Sequence, residues 1–131
     1  MPCLNAAACL PRAVASVTAQ TRHDWELIIA DDGSSDATPA LARERAAADP
    51  RIRVLAAPET SPRGAAAARN RGIAVARGRY LAFLDADDEW LPEKLARQLG
   101  WMQAEGLALT YTGFWRVHAT GRREVRVPAR V

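Results

Sequence analysis

The sequence lacks the features that mark zinc-binding, disulfide-rich or membrane-spanning proteins. Its 131 residues include two cysteines, Cys3 and Cys9, which form neither a CxxC pair nor a Cys/His set at zinc-ligand spacing. No apolar run approaches the roughly 18 residues of a membrane span, and no charged leader precedes an apolar core. The pattern therefore excludes a zinc module, and we expect a cytoplasmic protein with reduced thiols.

Signatures of several enzyme classes are also missing. The serines of the DGSS segment do not belong to a GxSxG elbow, which argues against a serine hydrolase. The glycines Gly64, Gly72 and Gly78 spell neither a Rossmann nor a P-loop fingerprint. His23 and His118 have no partner at catalytic spacing, so we expect both to be surface or packing residues.

Positive charge is concentrated near the C-terminus. The formal net charge is +3, yet residues 116–131 carry five arginines and one glutamate, which leaves residues 1–115 slightly acidic. A basic tail alone is weak evidence for nucleic acid, so we expect a solvated strand face and no nucleic-acid partner. The alternative, a nucleic-acid-binding arm, predicts steeply salt-dependent binding.

Short apolar runs alternate with helical stretches along the chain. With 49% hydrophobic and 25% charged residues the composition is that of a folded globular protein. The patterns predict helices at residues 9–20, 38–48, 64–77 and 92–105, and strands at residues 25–30, 52–55, 80–84 and 107–111. A hairpin of residues 114–119 and 124–127 is predicted last. Such alternation predicts an α/β fold with a mostly parallel sheet.

Two of the predicted strands end in acidic residues. Asp31 and Asp32 follow one strand, and the segment Asp85-Ala86-Asp87-Asp88 follows another. Ligands of open α/β sheets bind beyond the carboxyl ends of the strands. Clustered carboxylates need a counter-charge, and a hard divalent cation that bridges a diphosphate supplies one. These ends therefore predict a metal–nucleotide site, with turns and helix caps as the structural alternative.

The segments DWELIIADDGSSDAT and GAAAARNRGIAVARGRYLAFLDADDEWLPEKL resemble the nucleotide-sugar half of a family 2 inverting glycosyltransferase with the GT-A fold. MPCLNAA resembles the end of that family's first strand, so the resemblance covers residues 1–102. It implies a Rossmann-like, mostly parallel sheet with flanking helices, whose first central strand is largely missing here. It also implies transfer of a sugar from a nucleoside diphosphate, a UDP-sugar, to a hydroxyl of a glycan or lipid-linked acceptor, assisted by Mn²⁺ or Mg²⁺.

The resemblance assigns roles to the acids. Asp32 resembles the acid that hydrogen-bonds the nucleobase. Asp85 resembles the first acid of the DxD motif, near the ribose and sugar. Asp87 resembles the second acid, which binds the metal ion on the diphosphate, so the metal ligands implied are Asp87 and Asp85.

Three further residues are implied in nucleotide-sugar binding. Arg69 corresponds to a helix arginine that approaches the diphosphate or sugar, with a structural salt bridge as the alternative. Pro2 and Leu4 fall where the family lines the base pocket. Many members have an aromatic residue at the position of Leu4, so we expect apolar contact without ring stacking.

An inverting transfer needs a general base, which the family places downstream of the DxD motif. The acids that follow Asp88 stand in no matching motif: they are Glu89, Glu93, Glu105 and Glu124. We therefore expect a donor-binding fragment, with residues 1–112 as the nucleotide-sugar half and residues 113–131 as the start of the acceptor half. Peripheral association with the inner face of a membrane is common in the family. A non-catalytic nucleotide-binding module and a sugar-nucleotide pyrophosphorylase are the alternatives.

Overall fold

The computed structural model describes residues 1–60, 63–118, 120–121 and 123–126. The chain divides into two compact units, Met1–Lys94 and Leu95–Val131. No helix within the described ranges is long and apolar enough to cross a membrane.

The first unit is built on a parallel sheet of three strands. The order is β1-β2-β3, with Cys3 opposite Asp31 and Leu27 opposite Ile52. The strands are β1 (Pro2–Cys3), β2 (Leu27–Asp31) and β3 (Ile52–Leu55). Because consecutive strands are parallel, each pair is joined by a crossover connection, which contains a helix here. The predicted α/β fold with a parallel sheet is confirmed.

Three helices flank this sheet: α1 (Leu10–Thr18), α2 (Thr38–Ala48) and α3 (Ala65–Val75). Each of these helices lies within the residues predicted for it, and it begins and ends at most two residues inside the predicted bounds. Helix α1 begins with a proline at its first turn and buries Leu10, Val14 and Val17, all at most 2% exposed. These side chains form one core with Ile29 of β2. The apolar face of α1 is therefore buried against the apolar strand β2.

The strand predicted at residues 80–84 is absent, and that prediction is wrong. Leu84 is 5% exposed, but Leu81 and Phe83 are 50% and 56% exposed. Strand β1, at an edge of the three-stranded sheet, has two residues, and one of them is a proline without an N–H. It therefore has too few backbone groups to pair with a further strand.

The second unit contains most of helix α4 (Lys94–Ala104) and an antiparallel hairpin of β4 (Phe114–Val117) and β5 (Arg123–Arg126), in which Trp115 lies opposite Val125. The predicted hairpin is confirmed over its described residues; Ala119 and Val127 lie outside them. The strand predicted at residues 107–111 is wrong. The Gln98 side chain donates to both the carbonyl (3.2 Å) and the hydroxyl (2.9 Å) of Thr110, so that carbonyl is bonded to a side chain instead of a neighbouring strand.

Candidate functional site

A cavity of about 400 Å³ lies at the carboxyl ends of β1 and β2. Strand β1 and the turn after it, the end of β2, helix α3 and the loop after residue 84 all contribute to its lining. The structure brings together all six residues predicted for the nucleotide-sugar site. They are Pro2, Leu4, Asp32, Arg69, Asp85 and Asp87.

One wall of the cavity is apolar. Pro2 is buried in β1, whereas Leu4, in the turn that follows, leaves 47% of its surface exposed. An exposed leucine on a cavity wall can cover a planar ligand, and this contact is favourable because it removes apolar surface of the leucine from water.

The sequence did not single out other lining residues, among them Asn5, Cys9 and Gly64. Asn5 has a φ of 50° and Gly64 a φ of 92°, in the left-handed region that asparagine and glycine tolerate best. For Asn5 the sequence signal is a turn-forming residue directly after a short strand, and for Gly64 it is a glycine directly before a helix.

Asp32 anchors the loop that precedes α3. It is 3% exposed, and its carboxylate accepts the backbone N–H of Arg63 (3.0 Å) and of Gly64 (2.6 Å). Its own N–H donates to the carbonyl of Cys3 at 2.9 Å. A carboxylate has about four acceptor positions, so Asp32 retains capacity for one further donor from the cavity.

The neighbouring Asp31 has a different task. Its carboxylate accepts the Ser34 hydroxyl at 2.5 Å and the N–H groups of Gly33 and Ser34 at 3.3 Å, so it holds the turn after β2. The Cys3 thiol faces the same carboxylate at 3.9 Å. Burial, reinforced by Asp31, raises the pKa of Cys3 to about 12. Of the predicted acid pair, therefore, one member builds the turn and the other lines the cavity.

Arg69 and Asp85 form an ion pair in the cavity wall. The Arg69 Nη2 atom lies 2.5 Å from Asp85 Oδ1, and the two side chains are 33% and 46% exposed. This contact is the salt bridge that the sequence left as the alternative for Arg69. Because it lies on the cavity surface, it also places a guanidinium beside the acids.

Negative charge is concentrated at the loop that carries the DxD-like residues. Asp87 is exposed, and Asp88 follows it. Burial, then repulsion from Asp87 and Asp85, raises the pKa of Asp88. Among the described residues no group of three or more His, Cys, Asp or Glu could hold a metal ion. Asp85 and Asp87 together fit an ion that takes one or two carboxylates and completes its shell with phosphate oxygens and water, as Mg²⁺ does.

Helix α1 and the two residues after its C-cap, Gln20 and Thr21, hold the segment that follows these acids. The Trp90 N–H donates to Ser16 Oγ at 3.1 Å, and the Gln20 side chain donates to the Leu91 carbonyl at 2.8 Å. The Thr21 N–H donates to the Pro92 carbonyl at 2.9 Å. Gln20 is 1% exposed, so this anchor is built into the core. No sequence signal points to it, because the partners are about 71 residues apart.

Comparison with known proteins supplies the context for this geometry. Residues 1–129 match the sequence profile described as Glycosyl transferase family 2. The chain is 42% identical over 113 residues to the putative teichuronic acid biosynthesis glycosyltransferase TuaG of Bacillus subtilis, covering 86% of this chain and 44% of that protein. It is 38% identical over 114 residues to the UDP-Glc:alpha-D-GlcNAc-diphosphoundecaprenol beta-1,3-glucosyltransferase WfgD of Escherichia coli, covering 87% of this chain and 44% of that protein.

Among solved structures, the mannosyltransferase PcManGT from Pyrobaculum calidifontis, in complex with GDP-Man and Mn²⁺, superposes with a TM-score of 0.71. The match has 26% sequence identity and covers 86% of this chain and 32% of that one. The chain thus spans less than half the length of these relatives.

Proposed function

This chain belongs to glycosyl transferase family 2, and from that membership we propose that its cavity binds the nucleoside diphosphate of a sugar donor. The observation that carries the proposal is the convergence of six polar and apolar side chains, from four segments of the fold, on one cavity of about 400 Å³. Such a volume suits a small-molecule ligand. The reaction proposed for the complete enzyme is transfer of the sugar to an acceptor hydroxyl with inversion.

The nucleobase is proposed to lie between Leu4 and Asp32. Asp32 is held by the N–H groups of Arg63 and Gly64, which leaves one of its acceptor positions for an N–H of the base. Leu4 covers the base with apolar surface. We propose a UDP-sugar as the donor; the support is the UDP-Glc in the name of the Escherichia coli relative.

Asp87 and Asp85 are proposed to hold Mn²⁺ or Mg²⁺ against the diphosphate. When bound, such an ion neutralises charge that develops on the leaving nucleoside diphosphate. Arg69, paired with Asp85, adds a fixed positive charge beside the phosphates. The support is the fit of two carboxylates to an ion that also binds phosphate, together with the Mn²⁺ in the complex of the Pyrobaculum mannosyltransferase.

The general base is proposed to lie outside the cavity lining. Among the described residues no glutamate lines the cavity, and Glu89 is bonded to Arg12. We therefore propose that residues 1–112 form the donor half and residues 113–131 the start of the acceptor half. The acceptor is proposed to be a glycan or a lipid-linked molecule. The protein is proposed to act in the cytoplasm, at the inner face of the membrane, and the free thiols of Cys3 and Cys9 fit a reducing compartment.

A non-catalytic nucleotide-binding module is the second candidate. The acids that line the cavity are Asp32, Asp85 and Asp87, and all three are proposed to contact the donor or the metal. The second candidate is favoured because this leaves no acid of the lining as a general base, and a site with donor contacts alone binds without turnover. Family membership favours a transferase over the pyrophosphorylase considered from the sequence.

Calorimetric titration of the chain with UDP, with and without Mn²⁺, tests the proposal. We expect binding that needs the metal and falls at least about tenfold in Asp87→Asn, because the variant loses a metal ligand. Asp88→Asn is the matched control, since it makes the same substitution one residue further along and outside the cavity lining. Equal loss in both variants, or binding indifferent to Mn²⁺, contradicts the assignment. To separate transferase from binding module, donor hydrolysis and transfer are measured on the complete enzyme.

A further inference from the structure

The turn that carries Leu4 is held by a set of hydrogen bonds that nucleotide binding does not use. Three consecutive N–H groups donate to side-chain oxygens of the segment after β2. Asn5 donates to Ser34 Oγ (2.9 Å), Ala6 to Thr38 Oγ1 (2.7 Å) and Ala7 to Asp36 Oδ2 (3.0 Å). The DGSSDAT segment is thus a cradle for the turn.

Asn5 returns the contact. Its Oδ1 atom accepts the Ser35 N–H at 2.9 Å and the Ser35 hydroxyl at 3.3 Å. Bonds therefore run in both directions between the two turns. The Ser34 hydroxyl links the two turns as well, because it accepts from the Asn5 N–H and donates to Asp31 at 2.5 Å.

The backbone at Asn5 is also unusual. Its φ of 50° makes it the one non-glycine residue with positive φ among those described. Asparagine adopts this conformation several times more readily than most residues, and alanine adopts it at a cost. The conformation turns the chain directly after Leu4 and so decides where that side chain meets the cavity.

We propose that Asn5 is a positioning residue for nucleotide binding: its left-handed backbone and its bonds to Ser35 fix Leu4 on the cavity wall before the ligand arrives. This inference rests on the proposed function. Leu4 is 47% exposed and gains little from packing of its own, so its position depends on the turn. When the turn is already ordered, ligand binding does not include the entropic cost of ordering it. The apparent affinity therefore rises with the fraction of molecules that already have the binding-competent conformation.

The decisive experiment is a double-mutant cycle on UDP affinity in the presence of Mn²⁺. Asn5→Ala is expected to weaken binding about tenfold, because it disfavours the left-handed turn and removes both bonds to Ser35. In the Leu4→Ala background the same change is expected to cost less than about twofold, because no side chain is left to position. Asn5→Gly, which keeps the left-handed turn without adding charge to the cavity, is expected to bind within about threefold of the parent protein.

Two controls separate positioning from general structure. Ser35→Ala, which leaves the bond from the Ser35 N–H intact, is expected to bind UDP like the parent protein. Amide hydrogen exchange of the ligand-free protein is expected to accelerate at residues 5–7 in Asn5→Ala, with the exchange of β2 unchanged.

The outcomes are distinguishable. An Asn5→Ala loss that is the same with Leu4 present as in the Leu4→Ala background overturns the inference and leaves the proposed function standing. Parental affinity in Asn5→Ala does the same. A parent protein that binds no UDP with or without Mn²⁺ overturns both. Should Asn5→Ala fail to fold, Asn5→Gly keeps the turn and removes the side chain, and the same cycle with Leu4→Ala decides.

Discussion

Replacement of Asp32 by alanine tests the claim that this carboxylate anchors the loop before α3. The variant loses two charge-assisted hydrogen bonds, from the N–H groups of Arg63 and Gly64. Bonds to a charged group contribute about 1.5–3 kcal/mol each to stability. Arg63 and Gly64 are exposed residues, so water can replace part of each bond, and we expect a total loss of about 2–3 kcal/mol.

Urea unfolding followed by circular dichroism measures this loss. With a slope of about 1.5 kcal/mol per molar urea, the midpoint is expected to fall by about 1.3–2 M. Asp24→Ala is the control: its side chain is 66% exposed and pairs with Arg22, so a change within about 0.5 kcal/mol is expected. An Asp32→Ala midpoint equal to that of the parent protein refutes the anchoring role.

Three further outcomes are expected. Leu10→Ala, at a site that is 0% exposed, lowers the free energy of unfolding by about 2–5 kcal/mol, whereas Leu91→Ala, at a site that is 69% exposed, changes it little; similar losses would contradict the core described. Maleimide labels Cys9 on the cavity wall before Cys3, because the Cys3 pKa of about 12 suppresses the reactive thiolate. UDP with Mn²⁺ slows labelling of Cys9, and faster labelling of Cys3 than of Cys9 would contradict the geometry. Partial desolvation, then repulsion from Asp87 and Asp85, raises the pKa of Asp88, so the folded state is penalised when this group is ionised. Asp88→Asn therefore raises the Tm at pH 7, and the gain shrinks as the pH falls toward about 4, the ordinary pKa of an aspartate, and is lost below it. A gain that persists at about pH 3 would contradict this linkage.

The sequence was sufficient where local pattern and burial agree. Helix α1 follows from the spacing of Leu10, Val14 and Val17, and β2 follows from a short apolar run before two acids. Asp32 follows β2 at the carboxyl edge of the parallel sheet, where ligands of such sheets bind. Asp87 lines the same cavity, although the strand predicted before it is absent.

The sequence was insufficient where pairing across the chain decides the outcome. Residues 80–84 have the pattern of a buried strand, but a strand also needs a neighbour with free backbone groups, and β1 supplies two residues. The anchor of Gln20 on Leu91 and the bonds between Asn5 and Ser35 join residues 71 and 30 positions apart. No local periodicity encodes such contacts, so they become visible only in three dimensions.

Asp32 and Asp87 are proposed to serve one nucleotide in one cavity. The most direct measurement is a set of ¹⁵N–¹H spectra of the chain titrated with UDP and then with Mn²⁺. We predict that UDP shifts the amide signals of Leu4, Asp32 and Gly64, and that the paramagnetic ion then broadens those of residues 85–88 in a UDP-dependent manner. Shifts confined to residues outside the cavity, or broadening that is independent of UDP, would contradict the account.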